Sequence, residues 1–281
     1  MAHVHGLGRV ARRNPSLVIG AVLVGMVLAM ALVSLFWTPY SPTRMAMASR
    51  LQSPSLAHWL GTDQFGRDVL SQTMVGSQNA LFVALAAVLV GSCAGAALGL
   101  AAAALRGWVE EAFMRLCDFA YAFPAVLLAI IISALVGVGA TTTIFAIAIF
   151  TVPVFGRLAR GAAIEVWSKG FVSAARLNGK SPLRITLRHI LPNVAGLLIV
   201  QASTQIALAI IVEAGLSYLG IGLQPPAISW GKMLADAQTH MARAPTLAIF
   251  PGLAIAVAVL GFNLLGDGIR DLLDPRLRRA R

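Results

Sequence analysis

Five stretches of the chain contain no Asp, Glu, Lys or Arg: 14–43, 69–105, 119–156, 189–212 and 244–266. A charged side chain at mid-bilayer costs about 2.5–3.5 kcal/mol, so these gaps mark candidate membrane spans, each needing about 20 residues. The third gap holds 38 residues, too many for one helix, and 137–142 (Gly-Val-Gly-Ala-Thr-Thr) divides it into a helical hairpin. The second gap opens on polar Ser71, Gln72, Thr73, Ser77, Gln78 and Asn79, which moves the start of its span to about residue 81. The pattern therefore predicts six transmembrane helices, over about 17–37, 81–105, 119–137, 141–156, 194–214 and 247–266. The fourth is short, with room to extend past Arg157.

Composition agrees with that pattern. Residues of the AVILMFWYC set form 58% of the 281-residue chain and charged residues only 12%, against about 25% charged in soluble domains. Such a chain cannot clothe a water-facing surface, which argues against a soluble enzyme, a disordered tail or a disulfide scaffold. Cys93 and Cys117 are the two cysteines, too few for a disulfide framework. The first apolar run, roughly 20 residues, exceeds the 7–15 of a signal peptide's apolar core, and the cleavage-like Ala29-Met30-Ala31 lies inside it. An uncleaved first helix is expected.

The net charge of +11 changes the picture only through its distribution. Six spans place both termini and two connections on one side, and that side collects 17 of the 22 basic residues. Arg44, Arg50, Arg67, Lys232 and Arg243 lie on the other side. The bias places both termini in the cytoplasm and makes the charge topogenic rather than a nucleic-acid footprint.

Seven basic residues fall in the connection 157–192, whose only acid is Glu165. Phe171, Ala174, Ala175 and Leu177 follow helical spacing, Gly179 can end that helix, and Ser181-Pro182 resembles an N-cap followed by proline at the first helical position. Leu183, Leu187 and Ile190 give a second helix an apolar stripe, with Arg184 and Arg188 on another face. Helix, glycine turn, helix fits either close approach by a partner or an interfacial helix on anionic lipid.

Here the residues resemble a known family. Ser173-Ala174-Ala175-Arg176-Leu177-Asn178-Gly179, followed by Arg188-His189-Ile190-Leu191-Pro192-Asn193, is similar to the EAA loop of ABC importer permeases. Leu60-Gly61-Thr62-Asp63, Gly66-Arg67-Asp68, Phe123-Pro124 after Asp118, and the run from Glu213 to Gly220 resemble the dipeptide/oligopeptide/nickel branch. Pro225-Pro226, Ser229-Trp230-Gly231, the run from Asn263 to Asp271 (with Gly266, Asp267 and Arg270) and Asp274-Pro275-Arg276 complete the match, which is nearest the C-type member of the permease pair. Ser173 departs from the motif, standing where its glutamate is usual.

The resemblance implies an all-α type I ABC importer permease fold in the inner membrane. It divides the chain into an N-terminal segment with the first span and external loop (1–76), a permease domain (77–270) and a basic cytoplasmic tail (271–281). It implies a second, B-type permease subunit, two ATPase subunits and an external substrate-binding protein. It also implies that Phe171, Ser173, Ala174, Ala175, Gly179, Pro182, Arg184, Arg188 and Pro192 meet the ATPase. ATP and Mg²⁺ would then belong to the partners, with no cofactor, metal or catalytic residue in this chain. The implied cargo is a di- or oligopeptide, with nickel complexes, glutathione or another small solute as the alternative.

Other chemistry is sparse. Gly179-Lys180-Ser181 imitates the end of a phosphate loop, but Ala174 occupies the position of its first glycine and no strand signal precedes it. His3 and His5 alone do not make a metal site, and Asp63 to Asp68 reads as a turn with Asp68 capping the next helix. Gln201, Ser203, Thr204 and Gln205 sit near the predicted midplane of the fifth span. Polar groups there either bond between helices or line a pathway. An ion-coupled transporter would want buried carboxylate or histidine relays, whereas Glu213, Asp118 and Asp267 fall near predicted helix ends.

Overall fold

The computed structural model describes residues 14–122 and 124–273. The readings that involve His3, His5, Arg9, Arg12, Arg13, Phe123, Asp274, Pro275, Arg276, Arg278, Arg279 and Arg281 lie outside the described residues. The order is α1 (Pro15–Ser34), α2 (Val69–Leu105), α3 (Gly107–Ala122), α4 (Ala125–Val136), α5 (Ala140–Trp167) and α6 (Gly170–Leu177). There follow α7 (Pro182–Ile185), a π turn (Thr186–Ile190), α8 (Leu191–Tyr218), α9 (Trp230–Ala237) and α10 (Thr246–Leu273). Five helices are long and apolar enough to cross a membrane: α1, α2, α5, the continuous Pro182–Tyr218 and α10. No strand occurs among the described residues.

The helices start and stop where local chemistry directs. Asp68 caps α2, its Oδ2 accepting from Ser71 N at 2.8 Å, so the helix begins twelve residues before the expected position near 81. The polar first turns do not meet lipid, because Ser71, Gln72, Thr73 and Ser77 are buried within the protein. Gly137 (φ 98°) and Gly139 (φ 148°) open the hairpin break before α5. The last spans also exceed their expected ends: α5 runs on through Arg157 and Arg160 to Trp167, α8 to Tyr218 and α10 to Leu273.

The third span departs most from expectation. Instead of one helix over 119–137, α3 and α4 meet at a bend of 91°. Pro124 lacks an N–H and adopts φ −58°, ψ 134° at the N-cap of α4, a conformation that ends one helix and starts another. Amphipathic α3 is fastened to α5 by charge: Arg160 Nε donates to Glu110 at 2.6 Å, and Arg157 to Asp118 at 2.5 Å. The twelve residues of α4 reach only about 18 Å, short of a core about 30 Å thick.

The register of α2 on α5 shows why the bent pair still counts as a crossing. Gly91 faces Ala148 and Thr151, Gly95 faces Val152 and Phe155, and Gly99 faces Gly156. The two helices therefore run parallel, and the segment between them must return along the bundle by about 33 Å. That return is the work of α3 and α4, which completes six passages. The contact itself is backbone to backbone: a Cβ on Gly91 would lie 2.7 Å from the Ala148 carbonyl oxygen, and one on Gly95 or Gly99 would strike the Val152 or Gly156 carbonyl. This glycine stripe, spaced by four, is a membrane packing device.

At one end of the bundle Gly268 of α10 lies against Leu17 of α1, so residue 17 and residue 268 share a side. A buried stripe of α1, Gly20, Val24, Val27 and Ala31, packs inward while Ile19, Val22, Met26 and Leu32 stay exposed. Two large apolar cores and two small ones form among the described residues. One large core joins α1, α2, α8 and α10 around Leu81, Val88, Ile210 and Phe262. The other large core joins the ends of α2 and α5 to α6, α7 and the π turn, around Leu100, Ala163, Trp167, Val172 and Ile185.

Gly95→Val is expected to destabilise the folded chain by about 1–3 kcal/mol through overpacking, seen as a lower midpoint of thermal unfolding in detergent. Gly25→Val, with nothing within 4 Å of the added Cβ, should leave the midpoint unchanged.

Candidate functional site

Of the connection expected over 157–192, only 168–169 and 178–181 are non-helical. Helix α6 ends in a Schellman motif: Gly179 N donates to Arg176 O at 2.9 Å and Lys180 N to Ala175 O at 3.3 Å. Gly179 sits at φ +71°, the left-handed region that favours glycine. Ser181 then caps α7, accepting from Arg184 N at 3.4 Å, with Pro182 at the first helical position. The second helix of the connection is not separate, because α7 passes through the π turn directly into α8. Both ends of α6 are thus joined within four residues to long helices of the bundle.

Val172, Ala175, Ile185 and Ile190 enter the second core and fix this hairpin to α2 and α5. Arg176 stacks over Trp167 at 4.7 Å, and Lys180 Nζ meets His189 Nε2 at 3.3 Å. Two expectations change here. Ala175 is buried against its own chain at 5% exposure, so it supports the hairpin from inside, whereas Ala174 is exposed and faces outward. Ile190 is likewise fully buried while Leu183 and Leu187 are exposed. The π turn adds a residue per turn and rotates the phase between them, so the three do not form one stripe.

The outward surface carries Phe171, Leu177, Leu183 and Leu187 together with exposed Ser173, Ala174, Pro182, Arg184, Arg188 and Pro192. Among the described residues no carboxylate pairs with Lys169, Arg176, Lys180, Arg184 or Arg188, whereas Arg157 and Arg160 are matched by α3. Large apolar side chains beside unmatched cations make a surface suited to a partner. The sequence around Gly179-Lys180-Ser181 lies between two helices, without the strand a phosphate loop requires.

The four polar residues of α8 do not act together. Gln201 and Gln205 share one face; Gln205 is buried between α5 and α8, beside Ala146, Phe150 and Thr151. Ser203 turns away, its hydroxyl donating to Val200 O at 2.8 Å and packing on Gly266 of α10. Its role is helix packing. Thr204 is exposed, on a face of α8 that also leaves Leu197, Leu208 and Ile211 uncovered.

At the opposite end of the bundle, 43–72 folds around two carboxylates. Asp63 accepts from Phe65 N (2.8 Å), Arg67 N (2.9 Å), Arg67 Nε (2.6 Å) and Gln72 Nε2 (3.0 Å). Thr62 donates to Ser49 O and accepts from Gln52 N at 2.9 Å. Gly61 and Gly66 take positive φ where a side chain would strike Gln52 O or Ala46 O. The motif therefore builds a turn and a cap, as the spacing predicts. Arg67 extends to Asp236 of α9 at 4.0 Å, and Lys232 pairs with Asp236 at 2.9 Å.

Glu213 is completely buried, accepting from Ser217 Oγ at 2.7 Å, with its second oxygen unpartnered among the described residues. It lies near the end of α8, where Ala214 touches Gly231 of α9 closely enough to exclude a Cβ. Trp230, also fully buried, donates from Nε1 to Thr73 O at 3.0 Å and tethers α9 to α2. Asp267, Arg270 and Asp271 occupy the exposed last two turns of α10 and form no ion pair among the described residues. Two packing features escaped the sequence reading. The Gly91-Gly95-Gly99 spacing was a visible signal; the α3–α5 ion pairs had none, because their partners lie 39 and 50 residues apart.

Residues 95–279 match the family described as binding-protein-dependent transport system inner membrane component. The chain is 42% identical over 263 residues to the glutathione transport system permease protein GsiD of Pectobacterium atrosepticum, covering 92% of this chain and 87% of the relative. It is 41% identical over 275 residues to the GsiD protein of Escherichia coli, covering 98% and 91%. Among solved structures, an inward-facing form of the MetNI methionine ABC transporter matches with a TM-score of 0.59 at 17% identity. That match covers 71% of this chain and 95% of the other.

The burial of Ala175 and exposure of Ala174 give a direct contrast. Ala175→Trp should destabilise the chain by more than about 1–3 kcal/mol and lower its unfolding midpoint. Ala174→Trp should leave that midpoint within about 0.5 kcal/mol of the parent; equal losses from the two would contradict the placement of α6.

Proposed function

This chain belongs to the family of binding-protein-dependent transport system inner membrane components, and from that premise we propose that it forms half of the translocation pathway of an ATP-driven importer of small peptides. The hairpin 170–193 carries the reading. It is fixed to two long helices, carries unmatched cations and exposed leucines, and projects a single outward surface. A cytoplasmic ATPase pair docked there would move α5 and α8 together, and the pathway between this subunit and a second permease would open alternately to each side. The ATPases hold ATP with Mg²⁺; this chain moves solute and makes no covalent bond.

The charge bias supports cytoplasmic termini, and the shared side of residues 17 and 268 supports their lying together. The opposite end, built from 43–72 and α9, then receives an external substrate-binding protein. Glutathione is itself a modified tripeptide, so the name carried by the GsiD relatives fits a peptide pathway as well as a dipeptide does. Exposed Thr204 and half-buried Gln201, at the border between the open and covered faces of α8, meet the pathway; Gln205 backs Gln201 from the buried side.

Uptake into proteoliposomes holding the complete transporter tests this reading, with labelled dipeptide, glutathione and a nickel chelate as cargo. Import is expected to require ATP and the binding protein and to ignore a proton gradient. Gradient-driven uptake without ATP would overturn it. Gln201→Leu is expected to reduce the rate of import on the order of tenfold, the equivalent of one lost hydrogen bond at about 1.4 kcal/mol, without loss of assembly.

A further inference from the structure

Glu213 is a buried ionisable group that neither the helical hairpin nor the pathway uses. It stands about 33 Å along α8 from Leu191, where α8, the loop 219–229 and α9 meet. Glu213, Ala214 and Ser217 share one face of the helix, and the loop backbone reaches that face with no side chain in between. A Cβ on Gly222 would lie 2.2 Å from Ser217 Oγ, and one on Gly231 would lie 2.0 Å from Ala214 O. A relay of hydrogen bonds runs through the contact. Leu223 N donates to Ser217 Oγ at 3.2 Å, and Ser217 Oγ donates to Glu213 Oε1 at 2.7 Å. The hydroxyl of Ser229, the N-cap of α9, faces the same carboxyl. Glu213, Ser217 and Ser229 are all fully buried. On its far side the loop is tied to α2, with Asn79 Nδ2 donating to Ile228 O at 2.8 Å and Trp230 Nε1 to Thr73 O.

We propose that Glu213 is a positioning residue that makes α8 follow α9 when a binding protein docks, a role that rests on the importer reading above. A carboxyl buried with one oxygen lacking a hydrogen bond among the described residues costs stability. An apolar side chain of similar length would fill the same space without that penalty. What packing alone does not supply is the acceptor. Ser217 has one hydroxyl proton, and Glu213 takes it, which leaves a lone pair of the same hydroxyl for Leu223 N. Without that acceptor the hydroxyl turns to the carbonyl four residues back in its own helix, and the loop loses its hold on α8. The carboxyl therefore fixes the loop before α9 to a helix that continues unbroken to Pro182 in the hairpin.

ATP hydrolysis by the complete transporter in nanodiscs, titrated with its substrate-binding protein carrying the cargo that the uptake assay selects, separates docking from transmission. Glu213→Met is expected to cut the maximal stimulation on the order of tenfold, the equivalent of one lost hydrogen bond. The half-stimulating concentration of binding protein should stay unchanged, and the unfolding midpoint should not fall. Glu213→Gln, which keeps an acceptor oxygen for Ser217, should retain stimulation. Should Glu213→Met fold poorly, Ser217→Ala must lower the maximum in the same way. Full stimulation in these variants would overturn the proposal. So would a raised half-stimulating concentration at an unchanged maximum, because Glu213 would then only shape the docking surface. Equal losses in the Gln and Met variants, tracking a lowered midpoint, would leave it a packing residue and overturn the proposal as well. A wild type that its binding protein fails to stimulate would instead remove the importer reading, and the proposal with it.

Discussion

Both ends of the molecule depend on the approach of α2 to α5 at Gly91, Gly95 and Gly99, where backbone meets backbone without intervening side chains. In hydrocarbon no hydrophobic force drives helices together, so close van der Waals contact must hold them. Both helices are longer than a bilayer needs. At one end α2 projects into the aqueous layer, where its capped first turn gathers Asp63, Asp68 and the Trp230 tether. At the other end α5 projects past Arg157 and delivers Trp167 to the core beneath α6. One parallel pair thus spans from the platform built by 43–72 and α9 to the outward surface of the hairpin 170–193.

Charge placement follows the same geometry. Arg157 and Arg160 look topogenic in sequence, yet they are spent on Asp118 and Glu110 of α3, which steadies the bent third crossing. The cations beyond Trp167 have no such partners among the described residues and remain available. Sorting the basic residues by whether a carboxylate matches them separates structural charge from interaction charge, a division that counting alone does not make.

Much of this architecture can be read directly from residues. Charge-free gaps locate the spans because the bilayer penalises charge so heavily, and Gly179, Ser181 and Pro182 specify a turn that local sterics alone enforce. The Asp63 to Asp68 turn is equally local. What sequence patterns miss depends on contacts remote along the chain. The early start of α2 needed burial of its polar first turn under α9, and the inward face of Ala175 needed the core formed by α2 and α5. The π turn shifted Ile190 out of phase with Leu187, because a periodicity count assumes unbroken 3.6-residue turns. Ser203 and Gln205, two residues apart, took opposite roles for an equally geometric reason: about 200° of rotation separates them on α8.

Under the proposed function the hairpin 170–193 transmits force because its turn is rigid and fixed to α5 and α8. The decisive measurement is substrate-stimulated ATP hydrolysis by the complete transporter carrying Gly179→Val. The site has open space around it but a φ of +71°, so valine strains the turn without disturbing the packed helices. Normal insertion and assembly with stimulation lost are expected. Full stimulation in an assembled Gly179→Val transporter would contradict it.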